Sequence, residues 1–128
     1  MISQNQLHTV WLMLLAIAQF EGFFMPDSRA QRNNNPGNLR GWDPRLPKDE
    51  KGFDIFPNVA RGVGALWQQI WFNIFRNLTV KEFFEGKEGV YPGYAPLSDG
   101  NTVNYAKFVA KNTGIPLDNV TIKQYIGL

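Results

Sequence analysis

Cysteine does not occur in the 128 residues. A disulfide framework and a thiolate metal centre are both excluded, and the fold must stand on packing alone. Histidine occurs once, as His8. There is accordingly no His or Cys cluster, and no pairing of a nucleophile with a base stands out. A large charge of one sign is missing too. The formal net charge is +2, far from the basic stripe of a nucleic-acid binder, although mild basicity suits an acidic polymer such as a cell wall. No apolar run is long enough to cross a bilayer, which takes ~20 residues. The strongest run, VWLMLLAIAQF from Val10 to Phe20, is too short. It contains Ala16-Ile17-Ala18, which has the A-x-A form of a leader cleavage site. Yet MISQNQLH ahead of it has no Lys or Arg, so the basic n-region of a signal peptide is absent. The segment reads as a buried first helix.

What is present is the composition of a folded globule, 44% hydrophobic and 14% aromatic. A chain of this length predicts one domain over 1–128. Leu7, Val10, Trp11, Leu14, Ile17 and Ala18 follow the i, i+3, i+4, i+7 rule of one helix face. Ser3 is a plausible N-cap and Gly22 a plausible stop. The same periodicity carries Glu21 onto the apolar side, an uncomfortable place for a free charge.

Residues 22 to 52 are crowded with Gly, Pro, Asn and Asp and predict irregular structure. A loop of that length in a compact domain is uncommon and usually functional or disordered; its embedded aromatics argue against disorder. GFDIF, Gly52 to Phe56, is a strand candidate for a small hairpin or sheet. From about Asn58 the pattern is helical again. Val59, Val63, Leu66, Trp67, Ile70 and Ile74 mark one face, and Trp71, Phe72 and Phe75 fill much of the other. A helix apolar nearly all round belongs in the middle of a domain. Gly62 and Gly64 in its first turns imply close approach by another backbone, since each costs ~1 kcal/mol relative to Ala. TVKE, Thr79 to Glu82, is a capping-box signature. Further helices are expected over Thr102 to Asn112, ended by Gly114 and Pro116, and after Asp118. Two N-x-T matches, at Asn77 and Asn119, read as helix starts rather than glycosylation sites.

Chemistry concentrates in few places. A carboxyl held against apolar neighbours loses solvation in its charged form, which raises its pKa from ~4.3 toward ~6. Such a group can protonate a glycosidic oxygen at near-neutral pH. On position alone, Glu21 could equally end a helix and face water, or pair with an Arg. RNNNPGNLR, Arg32 to Arg40, gathers Asn side chains around a Pro-Gly turn. These amides could bind sugar hydroxyls and N-acetyl groups, or simply bond their own backbone. Asp27, Asp43, Asp49 and Asp54 are candidates for a second carboxylate. Asp54 is the most suggestive, yet strand alternation favours its facing away from the packed side. Trp42, Phe53, Phe56, Tyr91 and Tyr94 fall in irregular segments and could cover sugar faces, with core packing the default for the two Phe.

Taken together, Glu-Gly after an apolar helix, NNPGNLR, GFDIFPNVARGVGAL and YAPLSDGNTVNYAKFVAKNTGIP resemble a family of phage and bacterial cell-wall-degrading proteins. That family has a lysozyme-like fold related to the soluble lytic transglycosylases. The likeness runs from about Leu12 to Pro116 and implies a mainly α (α+β) fold, a helical domain with a small β element and a long loop as one cleft wall. It implies Glu21 as the catalytic acid/base. Asn34, Asn35, Asn38 and Arg40 would shape or bind at one wall, and Tyr94-Ala95-Pro96, Asn101 and Tyr105 would line the other. Asn101 stands where transglycosylases carry a Glu, and Tyr105 would help orient Glu21.

The implied reaction is cleavage of the β-1,4 linkage between N-acetylmuramic acid and N-acetylglucosamine in peptidoglycan. Transglycosylation is favoured over hydrolysis, because the substrate's N-acetyl group can replace a second carboxylate. The alternatives are a hydrolytic muramidase, or an inactive virion or wall-binding module. No cofactor, metal, nucleic acid or stable membrane insertion is implied. A monomer acting on glycan strands in the periplasm or cell wall is expected, delivered on a virion or released as an endolysin.

Overall fold

The computed structural model describes residues 1–95 and 101–128. It is mainly helical: α1 (Gln4–Phe20), α2 (Arg29–Arg32), α3 (Val59–Phe75), α4 (Val80–Glu85), α5 (Thr102–Thr113) and α6 (Ile122–Tyr125). Among the described residues, β pairing is confined to isolated antiparallel bridges, Arg40 with Phe53, Lys48 with Asp54 and Lys87 with Tyr91. The strand expected at Gly52 to Phe56 is therefore two bridging residues and not a sheet. Among the described residues, no helix is long and apolar enough to cross a membrane.

Contacts group the chain into two compact units, one formed by Met1–Ala16 with Ile70–Leu128 and one by Ile17–Gln69. In the first, short helices start where side chains answer orphan backbone amides. Ser3 Oγ accepts from Gln6 N at 3.1 Å while Gln6 Oε1 accepts from Ser3 N at 2.7 Å. Thr79 with Glu82, and Thr121 with Gln124, repeat this reciprocal box, and each such cap contributes ~1 kcal/mol. Both Thr belong to the N-x-T matches. Each follows an Asn in the left-handed region, Asn77 at φ 58° and Asn119 at φ 72°. The two helix starts are then tied together, because Lys81 N donates to Leu117 O and Ile122 N to Leu78 O, both at 2.9 Å.

The core of this unit is built on Val10, Met13, Leu14, Ile70, Ile74, Leu78, Phe83, Phe84, Val109 and Ile122, all buried. Two side chains expected in the α1 stripe, Leu7 and Trp11, are exposed, and Met13 takes the place at the core. The all-round burial expected of α3 also fails: Phe72 and Phe75 are 53% and 55% exposed. Phe75 instead stacks on Trp71, with centroids 5.9 Å apart, beneath the Lys123 ammonium at 5.4 Å. The rings shield one another at the surface, and so the helix needs only one core face.

In the second unit, α3 begins at Asn58, whose Oδ1 accepts from Arg61 N at 2.9 Å. α2, unforeseen in the polar loop, is capped by Ser28. Gly62 makes the close approach its residue type implies: a Cβ there would stand 1.8 Å from the carbonyl oxygen of Asn34. Gly64 makes none, since a Cβ would meet nothing within 4 Å.

Candidate functional site

α1 ends at Phe20, and Glu21 N still donates to Ile17 O at 2.9 Å. Gly22, at φ 81°, then turns the chain out of the helix. The half-buried Glu21 side chain is thus fixed at a helix terminus. Its partner comes from the asparagine loop: Asn38 Nδ2 donates to Glu21 Oε1 at 3.0 Å and lies 3.5 Å from the Glu21 carbonyl oxygen. Asn38 Oδ1 is buried without a hydrogen-bond partner among the described residues. An amide N–H aimed at a carboxylate favours its ionised form. Rotation of the amide by half a turn would instead present Oδ1, which accepts from the protonated form. Either orientation leaves one atom of the amide buried without a partner among the described residues.

Side chains hold the loop in place where a sheet would use a ladder. Asn35 is buried; its Nδ2 donates to Leu39 O at 3.0 Å and Asp54 O at 2.9 Å, while Oδ1 accepts from Leu39 N at 2.9 Å. Every polar atom of that amide is engaged with backbone, so Asn35 shapes the loop and has no surface to offer a substrate. Asn34 Nδ2 donates to Phe56 O at 3.0 Å. Asn34 and Asn38 sit at φ 52° and 46°, a region asparagine tolerates better than most residues. Arg40 is exposed at the tip, with its guanidinium 4.0 Å above the Phe53 ring, which Arg29 approaches from 4.8 Å.

Two carboxylates complete the frame. Asp54 is 0% exposed, contrary to the outward position that alternation implied. Its Oδ2 accepts from Trp42 N at 2.8 Å and its Oδ1 pairs with Lys48. With only two bridging residues there is no strand face to alternate, and the side chain turns inward to bind loop backbone. Asp49, another of the four candidate carboxylates, is instead a brace of the loop. Its Oδ2 accepts from Arg29 Nε and Asn33 Nδ2, both at 2.9 Å, and its Oδ1 from Lys51 N at 2.9 Å and Phe53 N at 3.0 Å. Burial pushes this carboxyl up, but the bonds from Asn33, Phe53, Lys51 and Arg29 outweigh it and lower the pKa to about 2. The signal in the sequence was the D-x-x-G spacing from Asp49 to Gly52, the mark of a side-chain-braced turn.

The residues expected on the opposite wall lie in the first unit. Tyr105 is 3% exposed and stacks on Phe84 with centroids 4.4 Å apart; Tyr94 meets Tyr105 edge-on at 6.1 Å. This aromatic cluster joins α4 to α5. Asn101 is exposed at the start of α5 and makes no side-chain cap; Pro96 lies outside the described residues. Among the rings considered as a saccharide platform, Phe56 is buried and Phe53 is covered by Arg40 and Arg29. Tyr91 lies beneath Arg76 at 5.1 Å. Trp42 lines a cavity of about 290 Å³ with Leu46, Phe56, Arg61 and Gly64.

Fold and site together define a mainly helical protein in which a helix-terminal glutamate meets a loop braced by asparagines. No protein-family model matches the sequence, and no solved structure matches it. The chain is similar to a bacteriophage protein. That relative is Protein P5 of Pseudoalteromonas phage PM2, 32% identical over 110 residues covering 80% of this chain. The aligned region spans 66% of Protein P5, just under two thirds of its length.

Proposed function

We propose that this chain is a peptidoglycan-cleaving glycosidase of lysozyme-like fold, acting on the β-1,4 linkage between N-acetylmuramic acid and N-acetylglucosamine, with Glu21 as general acid and base. The observation that carries this reading is the Asn38–Glu21 bond at 3.0 Å. It gives a half-buried carboxyl a partner able to serve both of its protonation states. Protonated Glu21 donates to the glycosidic oxygen and the bond to the anomeric carbon breaks. The resulting carboxylate is held by the Asn38 N–H. It then takes the proton of the muramoyl C6 hydroxyl as that oxygen attacks the anomeric carbon, closing a 1,6-anhydro ring and restoring the acid.

Support for transglycosylation over hydrolysis comes from the aspartates. A two-carboxylate hydrolase places its partner ~5–9.5 Å from the acid and leaves it available for chemistry. Of the four candidates, Asp54 is committed to Trp42 and Lys48, Asp49 to the 49–53 turn and Asp43 to Arg45. Only the exposed Asp27 has a carboxylate without a hydrogen bond or ion pair among the described residues. Similarity to a phage protein fits delivery to the cell wall by a virion or as an endolysin. The reading competes with a wall-binding module that keeps the scaffold without the reaction, which the exposed Asn101 in place of a transglycosylase Glu favours.

Digestion of purified peptidoglycan followed by mass spectrometry tests it. Anhydromuramoyl ends are expected from the wild type, and Glu21→Gln should lower the rate by about 10²–10⁴-fold, the usual share of acid–base catalysis, with folding retained. Reducing ends would mean a hydrolase. Equal activity in wild type and variant, or no products from either, would overturn the proposal.

A further inference from the structure

Gly64 has no explanation in the fold. Gly62, two residues earlier, must lack a side chain to admit the Asn34 carbonyl, whereas a Cβ on Gly64 would enter open space. A glycine inside a helix costs ~1 kcal/mol relative to alanine, and no close contact offsets that cost at Gly64. What Gly64 does face is the cavity of about 290 Å³, where it stands with Trp42, Leu46, Phe56, Arg61 and Gln68. That volume falls just short of the usual range of ligand pockets, ~300–1,000 Å³.

The walls are chemically uneven. Trp42, Leu46 and Phe56 supply apolar surface. Asp43, also on the wall, is already answered by Arg45, whose Nε and Nη2 approach it at 3.1 and 2.9 Å. The Arg61 side chain has no hydrogen bond or ion pair among the described residues; only its backbone amide is engaged, with Asn58. The one uncompensated charge on the cavity wall is therefore positive, on a planar fork that matches a carboxylate.

We propose that this cavity binds a carboxylate attached to a compact body with an apolar face, with Arg61 as the anchor and Gly64 keeping its wall clear. If the glycosidase reading holds, two parts of the polymer carry that chemistry: the lactyl group of a muramic acid without peptide, and the terminal carboxylate of a stem peptide.

The test is an amide NMR titration of the wild-type chain with four probes: N-acetylmuramic acid, N-acetylglucosamine, and a short D-alanine-terminated peptide without acidic side chains, once with a free and once with an amidated C-terminus. Saturable shifts at Gly64 and Trp42 are expected from N-acetylmuramic acid or the free-acid peptide, and whichever binds identifies the source. N-acetylglucosamine and the amidated peptide should leave those signals in place. Arg61→Gln should weaken binding about tenfold or more, as loss of a charge-assisted bond does. Gly64→Leu should abolish binding with its melting temperature kept, and should it fail to fold, Gly64→Ala should melt higher than wild type and bind more weakly. Equal binding of neutral and acidic probes, unchanged affinity in Arg61→Gln, or no shift with any probe would overturn the proposal. Carboxylate binding by a chain that cannot cleave peptidoglycan would overturn the glycosidase reading alone; cleavage without shifts at Gly64 would overturn the pocket alone.

Discussion

Asn38 Nδ2 lies 3.0 Å from Glu21 Oε1, while Oδ1 of the same amide is buried without a partner among the described residues. One side chain thus links the last turn of α1 to the asparagine loop, and it is half used. Its backbone, at φ 46°, adds a second constraint.

These two roles separate by substitution. Asn38→Gly keeps the left-handed backbone and deletes the amide, so cleavage of peptidoglycan should fall by about tenfold or more, the weight of a charge-assisted hydrogen bond. Asn38→Ala should lose as much activity and an additional ~1 kcal/mol of stability from the forced φ. Paired rate and urea-melt measurements check this; equal stability of the two variants would show that the backbone conformation carries no strain.

Asp54 should report on stability and not on chemistry. Asp54→Asn removes the charge that faces Lys48 while keeping an acceptor for the Trp42 amide. A loss of ~1–3 kcal/mol is expected from weakening one buried charge-assisted network, with the rate per folded molecule unchanged. A drop in rate comparable with that of Glu21→Gln would make Asp54 a second catalytic carboxylate.

The acid limit of stability should carry the mark of Asp49. Its pKa falls from 3.8 to about 2 on folding. The unfolded chain therefore binds its proton first as pH drops, and the Asp49 contribution, complete above pH 3.8, is lost as pH falls toward 2. Chemical denaturation between pH 5 and pH 2 should show wild type losing more stability than Asp49→Asn over that window. Parallel curves would refute the assignment.

Gly62→Ala should be among the most damaging small substitutions in the chain. The added carbon would stand 1.8 Å from the Asn34 oxygen and 3.0 Å from the Pro36 ring, and relieving that overlap means displacing the loop. Overpacking of this sort costs ~1–3 kcal/mol or more. Thermal melts of the purified variant give the comparison.

Helices were legible in the sequence wherever a polar side chain announces a start. Ser3, Asn58 and Thr79 each begin a helix where the sequence implied, and the last helix, expected from Asp118, begins later at the Thr121 cap. The faces of those helices were less legible. A ring such as Phe75 can cover itself with Trp71 and Lys123 at the surface, and periodicity cannot tell that arrangement from a core. Glu21 and Asn38 were both picked out from sequence, but the bond between them was not, because it joins residues 17 apart through a loop of irregular shape. Asp49, Asn33 and Asp54 were obscured for the same reason: their partners, the backbone amides of Phe53 and Trp42 and side chains 16 to 20 residues away, are brought together only by the folded loop.

The asparagine brace has a consequence for the range over which the protein can operate. Carboxamides neither gain nor lose protons in water between acid and base, and Asn34 and Asn35 bind neutral peptide groups. The loop that supports Glu21 is thus indifferent to the proton that Glu21 would pass back and forth in each turnover. Ionisation at the glutamate can change while the amides around it keep their shape, and Asp49, an ionisable strut of the same loop, keeps its charge down to about pH 2.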